Sequence, residues 1–199
     1  MGSVETSVFD EFVKKTFGDN FDCGLSPESK EKMMNRARIV KMDKGEYLQV
    51  EGDICKTWGY VCKGLVRMYY MRDKEEVTEQ LSAEGDGFLD CESFFKQTPS
   101  TRYVQMLEPT TLYLFRRLDN SEISSDSYEI RRFLRYMIER TLLDKKKRIL
   151  DSIFKPAKAR YETLLAEKPS LVLRAPSGIV ASYLGVTPET LSRIKAKNN

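Results

Sequence analysis

The residues best suited to chemistry on a partner lie in the stretch TPETLSRIK at 187–195. A helix starting after Thr187 would bury Leu191 and Ile194 and leave its other side polar. There, an arginine can hydrogen-bond twice to guanine, a glutamate can accept from cytosine, and lysines suit phosphates. We therefore predict contacts with double-stranded DNA from nine residues: Ser177, Thr187, Pro188, Glu189, Thr190, Ser192, Arg193, Lys195 and Lys197.

The segment before this stretch predicts another short helix, at 176–184, which would hold the helix after Thr187 in place. Gly185 follows it directly, and a tight turn between two helices needs a residue that tolerates positive φ. Thr187 is a natural N-cap and Pro188 a natural first residue of the next helix. This layout predicts a helix-turn-helix whose second helix enters a DNA major groove. The alternative is an ordinary helical hairpin with a polar outer face.

The distribution of charge favours an acidic partner for the C-terminal quarter. The net charge is only +3, but residues 145–199 contain 12 basic and 4 acidic side chains, which leaves 21 basic and 26 acidic in 1–144. Nucleic acid is the obvious partner for such a basic region. A merely solvated basic surface would have the same composition.

Several function classes are disfavoured by what the sequence lacks. It contains no histidine, the commonest metal ligand and general base, so we predict no metal site, no catalytic residue and no enzyme. In particular, an enzyme built on a cupin-like barrel would normally use histidines to hold its metal. The four cysteines are widely spaced, and no secretion signal or membrane span is evident. We predict a cytoplasmic protein without membrane contact.

The first two thirds of the chain predict a β domain with helices beside it. Helical spacing at 8–17 and a capped segment from Ser26 to about Arg36 precede seven short strands between Arg38 and Arg117. Frequent Gly and Asp turns between short strands favour a sandwich or small barrel. We predict an antiparallel β-roll, a cupin-like jelly roll, enclosing a modest cavity.

A long helix is predicted at 128–154, where no glycine or proline occurs. Its apolar stripe contains adjacent pairs and is wider than one contact face requires. We therefore expect part of it to pack on the roll and part on a second copy of the chain; a helix buried in its own domain is the alternative. The predicted α+β architecture has a sensory β-roll at 1–124, a dimerisation helix at 125–155 and a helix-turn-helix domain at 156–199.

Three stretches together resemble Crp/Fnr-type bacterial transcription regulators. KGEYLQVEGDICKTWGYVCKGLVRMYY at 44–70 resembles the first strands of their roll, with glycines at the expected turns, and AEGDGF at 83–88 resembles the turn before their ligand cassette. In TPETLSRIK, Glu189, Ser192 and Arg193 match the Glu-x-x-Ser-Arg arrangement of the recognition helix in the Fnr-like branch. The resemblance covers roughly residues 25–197.

In the family, the ligand cassette contains Gly-Glu-Leu and, further on, Arg followed by Ser or Thr. The corresponding stretch of this chain departs from that pattern. In an alignment without gaps, Asp90 could replace the glutamate of this pattern. Ser100 and Thr101 then occupy the positions of the arginine and of the residue after it, and Arg102 stands two residues beyond the arginine position. A buried phosphate without its arginine is costly, so we expect no cyclic nucleotide and no other cofactor. For an unknown effector we predict contacts from five residues, with a solvated loop as the equal alternative: Asp90, Glu92, Ser93, Thr101 and Arg102.

The resemblance implies a homodimeric, sequence-specific regulator acting on a pseudo-palindromic operator. Its control would come from a small effector other than cyclic AMP, or from none, and RNA polymerase is a further candidate partner. Because the sequence stops at Asn199, we also expect the helix-turn-helix to lack the family's β wing. The competing hypothesis is a ligand-binding regulatory module that acts on a protein partner without binding DNA.

Overall fold

The computed structural model describes Asp10, Lys14 and residues 24–117 and 127–196. Apart from Asp10 and Lys14, the helix predicted at 8–17 lies outside the described residues. The strands are β1 Ala37–Met42, β2 Tyr47–Gln49, β3 Thr57–Lys63, β4 Val66–Arg72, β5 Glu75–Ser82, β6 Gly87–Phe88, β7 Arg102–Met106 and β8 Thr110–Arg116. The helices are α1 Pro27–Met34, α2 Cys91–Lys96, α3 Tyr128–Phe154, α4 Ala157–Glu167, α5 Pro169–Arg174, α6 Ser177–Leu184 and α7 Pro188–Ala196.

The strands form two antiparallel sheets of four strands each, packed as a sandwich. Their orders are β1-β8-β3-β6 and β2-β7-β4-β5. Apolar side chains from both sheets fill the space between them, and Val61, Met106 and Leu112 are completely buried there. The predicted antiparallel jelly roll is confirmed, as an open sandwich rather than a closed barrel.

Three short elements have no equivalent in the sequence prediction. β6 has only two residues, too few for an alternating pattern. α2 has six residues and begins at the Asp90 cap. α5 begins at Pro169, and a proline at that point of the sequence is as compatible with the end of the preceding helix as with the first turn of a new one.

The long helix α3 has the predicted bounds. Ser127 caps it by accepting a hydrogen bond from the amide of Ile130, 3.4 Å away. Only Ile130 and Phe133, near its start, are buried. Further along, many apolar side chains are exposed to solvent: Ile138, Leu142, Leu143, Ile149, Leu150, Ile153 and Phe154. Most of the stripe is therefore uncovered in a single protomer.

The C-terminal helices form a second core, which they share with the roll. Leu171, Val180, Ala181 and Leu191 are almost fully buried in it together with Leu65 from the roll. The helical region thus packs directly on the β domain, and the proposed domain boundary at 155 and 156 stays a prediction. No helix in the described ranges has both the length and the hydropathy needed to cross a bilayer.

Candidate nucleic-acid interface and effector region

The turn between α6 and α7 has the predicted geometry. Gly185 ends α6 with φ of 64°, a left-handed conformation that glycine adopts without steric cost. The amide of Val186 then donates to the carbonyl of Ala181 over 3.0 Å. Thr187 accepts from the amide of Thr190 over 3.2 Å and so caps α7. Local sequence therefore sets the angle at which α7 leaves α6.

The outer face of α7 is polar and open to solvent. Leu191 and Ile194 are buried beneath it, while Pro188, Glu189, Ser192 and Arg193 are exposed. Hydrogen bonds from its own backbone amide and from the Thr187 hydroxyl lower the pKa of Glu189, and Arg193 adds to this effect. The face thus presents a carboxylate, a hydroxyl and a guanidinium to whatever lies against it.

Hydrogen bonds connect several of the predicted DNA-binding residues. The Arg193 guanidinium donates to the Thr190 hydroxyl over 3.2 Å. The Lys195 ammonium donates to the hydroxyl of Ser177 over 3.0 Å, which links the start of α6 to the end of α7. Lys197 lies outside the described residues.

The first helix of the pair is attached to strand β5 of the roll. The hydroxyl of Ser182 donates to the carbonyl of Glu76 over 3.0 Å and accepts from the amide of Thr78 over 2.9 Å. Arg148 of α3 donates to the carbonyls of Thr78 and Tyr183, at 3.2 and 3.4 Å. These contacts join residues that are remote along the chain, so no local sequence pattern predicts them.

Asp90, the residue that could replace the cassette acid, lies inside the roll and is fully engaged. It caps α2 by accepting from the amide of Ser93 at 3.3 Å. Its other oxygen accepts from the Gln49 amide group at 3.1 Å and from the Ser100 hydroxyl. Ser93 is also buried and donates to the carbonyl of Thr98 over 2.6 Å. A buried polar network thus holds the start of the cassette, at Asp90 and Ser93, in place.

Arg102 forms an ion pair with a carboxylate of the same chain. Its Nε donates to one oxygen of Glu79 over 3.0 Å, and the Lys145 ammonium donates to the other oxygen over 3.0 Å. Burial raises the pKa of Glu79, but Lys145 and Arg102 outweigh this and lower it. The cluster ties the roll to α3, with Glu92 and Thr101 exposed beside it. Glu79 and Lys145 are site residues that the sequence pattern did not reveal.

A cavity of about 430 Å³ opens at the end of the roll near the loop between β2 and β3. Asp90 and Gln49 line it, together with the apolar side chains of Leu48, Phe88 and Val104. Of the five predicted effector residues, Asp90 alone is among its lining residues. Its volume falls in the range of small-molecule sites. In the described ranges, no cluster of three cysteine or carboxylate side chains could hold a metal ion.

Residues 39–126 match the family of cyclic nucleotide-binding domains. In this chain the β-roll is followed by the long helix α3 and by the helix pair α6 and α7. The chain has the fold of Crp/Fnr-type transcription regulators, as its resemblance in sequence predicted.

Solved structures of such regulators superimpose on most of the chain. FixK2 from Bradyrhizobium japonicum has a TM-score of 0.65 and 21% identity over 81% of this chain and 83% of its own. A CooA mutant from Carboxydothermus hydrogenoformans gives 0.62 and 21%, over 86% and 80%. The catabolite activator protein of Thermus thermophilus gives 0.53 and 20%, over 87% and 84%. No curated protein matches the chain by sequence.

Proposed function

We propose that the protein is a homodimeric transcription regulator that binds a specific, pseudo-palindromic DNA sequence. The observation that carries this proposal is the outer face of α7, where Glu189, Ser192 and Arg193 stand exposed on a helix anchored by its buried side. Groups of this kind at the start of a recognition helix can reach base edges in a major groove. The fold that most of the chain shares with solved regulators supports the same conclusion.

The uncovered stripe of α3 supports the homodimer. Leu142 and Ile149 are 66% and 58% exposed, one heptad apart on the same side of the helix. Fully burying one such side chain stabilises a contact by about 1.5–3 kcal/mol. A two-fold pairing of α3 would place two recognition helices on one assembly, and helices about 34 Å apart meet successive major grooves.

We propose that the protein is controlled by an effector other than cyclic AMP, or by none, and two features of the roll support this. The buried Ser100 stands where the family pattern has the arginine that binds the cyclic phosphate, and Arg102 is paired with Glu79. A ligand in the cavity beside Asp90 would act by binding two conformations of the dimer unequally. We place the protein in the cytoplasm, with RNA polymerase as a further candidate partner.

Selection of bound sequences from random duplex DNA, with and without cell extract, tests the proposal. We expect enrichment of a motif with two-fold symmetry, at a half-site spacing near one helical turn. Dependence on the extract would point to an effector. Binding without sequence preference, or no salt-dependent affinity for DNA, would contradict the proposal and favour a module that acts on a protein partner.

A further inference from the structure

Lys146 stands at the centre of the exposed apolar patch of α3. Leu142 and Leu143 precede it by four and three residues, and Ile149 and Leu150 follow it by three and four. Residues at these spacings are its neighbours on the helix surface. The four apolar side chains are 66%, 62%, 58% and 42% exposed. A positive charge is thus surrounded by exposed apolar side chains of the helix.

The other cations of this stretch each have a partner within the protomer. Lys145 donates to Glu79 over 3.0 Å, and Lys147 donates to Glu167 over 2.6 Å. Arg148 donates to two backbone carbonyls and lies over the ring of Tyr183. Lys146, in contrast, is exposed and makes no ion pair or hydrogen bond with any described residue.

The one acidic side chain of α3 on the same face as Lys146 is Glu139, which lies one heptad before it and is paired with Arg135 at 3.4 Å. The nearest carboxylates, Asp144 and Asp151, are paired with Arg140 at 3.2 Å and with Lys155 at 2.9 Å. Their spacing from Lys146, two before and five after, puts both on other sides of the helix. Lys146 therefore has no carboxylate within one helical turn on this face of α3.

The occupant that best fits this patch is a second copy of α3. The apolar side continues to Ile153 and Phe154, and a helix of 27 residues offers enough length for more than two heptads of contact. In a parallel two-fold pair, each residue at the seam meets its own symmetry mate. Lys146 of one protomer would then face Lys146 of the other.

We infer that Lys146 limits the strength of the dimer, because its two copies repel each other across the seam. This inference rests on the proposed homodimer. The apolar residues around the pair keep water away, so the repulsion is stronger than between solvated lysines. Added salt screens charges, so the dimer tightens as the salt concentration rises. A polar residue at one seam position is a known means of setting the oligomeric state at a cost in affinity.

The test compares Lys146→Gln with Lys147→Gln, an adjacent substitution that removes the same charge. Sedimentation equilibrium of the full chain, at low and high sodium chloride, gives the dimer dissociation constant. We expect Lys146→Gln to tighten the dimer about tenfold at low salt and to remove most of its salt response. Lys147→Gln should leave both close to those of the wild type, because Lys147 is paired with Glu167.

A mixing experiment tests directly whether the two lysines face each other. When wild type and Lys146→Glu are combined in equal amounts, heterodimers should exceed the statistical half, as native mass spectrometry can measure. Statistical mixing, or a Lys146→Gln dimer no tighter than that of the wild type, would overturn the inference while leaving the homodimer intact. Monomers from both the wild type and Lys146→Gln would overturn the homodimer as well.

Discussion

Arg174 of α5 binds Glu84 of the roll through two parallel hydrogen bonds of 2.7 and 2.9 Å. The same guanidinium also contacts Glu108, and Glu84 accepts from the amide of Gly64 over 2.8 Å. Nearby, Lys168 pairs with Asp86 at 2.7 Å. These contacts attach the region before the helix-turn-helix to the loop that leads into the β6 strand and the cavity wall.

The Glu84 contact should make part of the stability depend on pH. Burial raises the pKa of Glu84, but hydrogen bonds from Arg174 and Gly64 outweigh it and lower the pKa from 4.5 to about 2. Because the folded pKa is the lower one, the contribution is present above pH 4.5 and is lost as the pH falls towards 2. We expect Glu84→Gln to cost about 1 kcal/mol at pH 7 and to weaken the acid dependence of thermal unfolding.

The matched control for Glu84→Gln is Glu162→Gln. Glu162 forms an exposed pair with Lys158 on one helix, at 3.6 Å, and such pairs contribute little. If both substitutions gave the same melting temperatures from pH 7 to 3, the contact with Arg174 would have no energetic role.

The sequence predicted those parts of the fold that local chemistry determines. The long run without glycine or proline predicted α3, which Ser127 caps. Gly185 and Thr187 predicted the turn before α7. The short elements β6, α2 and α5 were not predicted, because two to six residues are too few to show a periodic pattern of apolar residues.

The sequence predicted the exposed face of α7 but not the buried contacts of the effector region. The helical spacing of the apolar residues Leu191 and Ile194 identified the polar face of α7. Glu79, in contrast, meets residues that are 23 and 66 positions away in the chain. Only the packing of β5, β7 and α3 brings these three side chains together, and no spacing rule reports such a meeting.

Asp90 should matter for stability even without a ligand. Asp90→Ala removes the α2 cap and leaves the buried side chains of Gln49 and Ser100 short of a partner. We expect a loss of about 2–3 kcal/mol in the free energy of unfolding by urea. Glu92→Ala, two residues on, removes an exposed pair with Lys96 and a longer one with Arg102 at 3.9 Å, and it should cost less than about 0.5 kcal/mol. Similar losses for both variants would refute the buried network.

Gly185 should be sensitive to substitution for conformational reasons alone. Its φ is 64°, and a Cβ there would have no atom within 4 Å, so Gly185→Ala adds backbone strain without a clash. We expect a cost of about 1 kcal/mol in urea unfolding. A Cβ at Gly178 also meets nothing within 4 Å, but this residue lies within α6, so Gly178→Ala should be neutral or stabilising. Equal effects at both glycines would contradict the strained turn.

Arg193 and Lys195 should differ in what they contribute to DNA binding. Arg193 is exposed on the outer face of α7, so Arg193→Ala should cost about 1–3 kcal/mol on the selected operator and relax one base position. Lys195 lies nearer the helix end, beside Ser177, where a phosphate contact is expected. Lys195→Ala should therefore weaken binding to all sequences alike and lower the salt slope by about one.

The two roles separate when each variant is titrated with the operator and with a scrambled duplex over a range of salt. Lys158→Ala is the control, since it removes one exposed cation of α4 that is paired with Glu162, and it should leave both affinities unchanged. Arg193→Ala should lose affinity mainly for the operator, because a base contact exists only where the correct base is present. Equal losses for Arg193→Ala and Lys195→Ala on both duplexes would mean that α7 contacts only the DNA backbone, and the assignment of its outer face to base reading would be wrong.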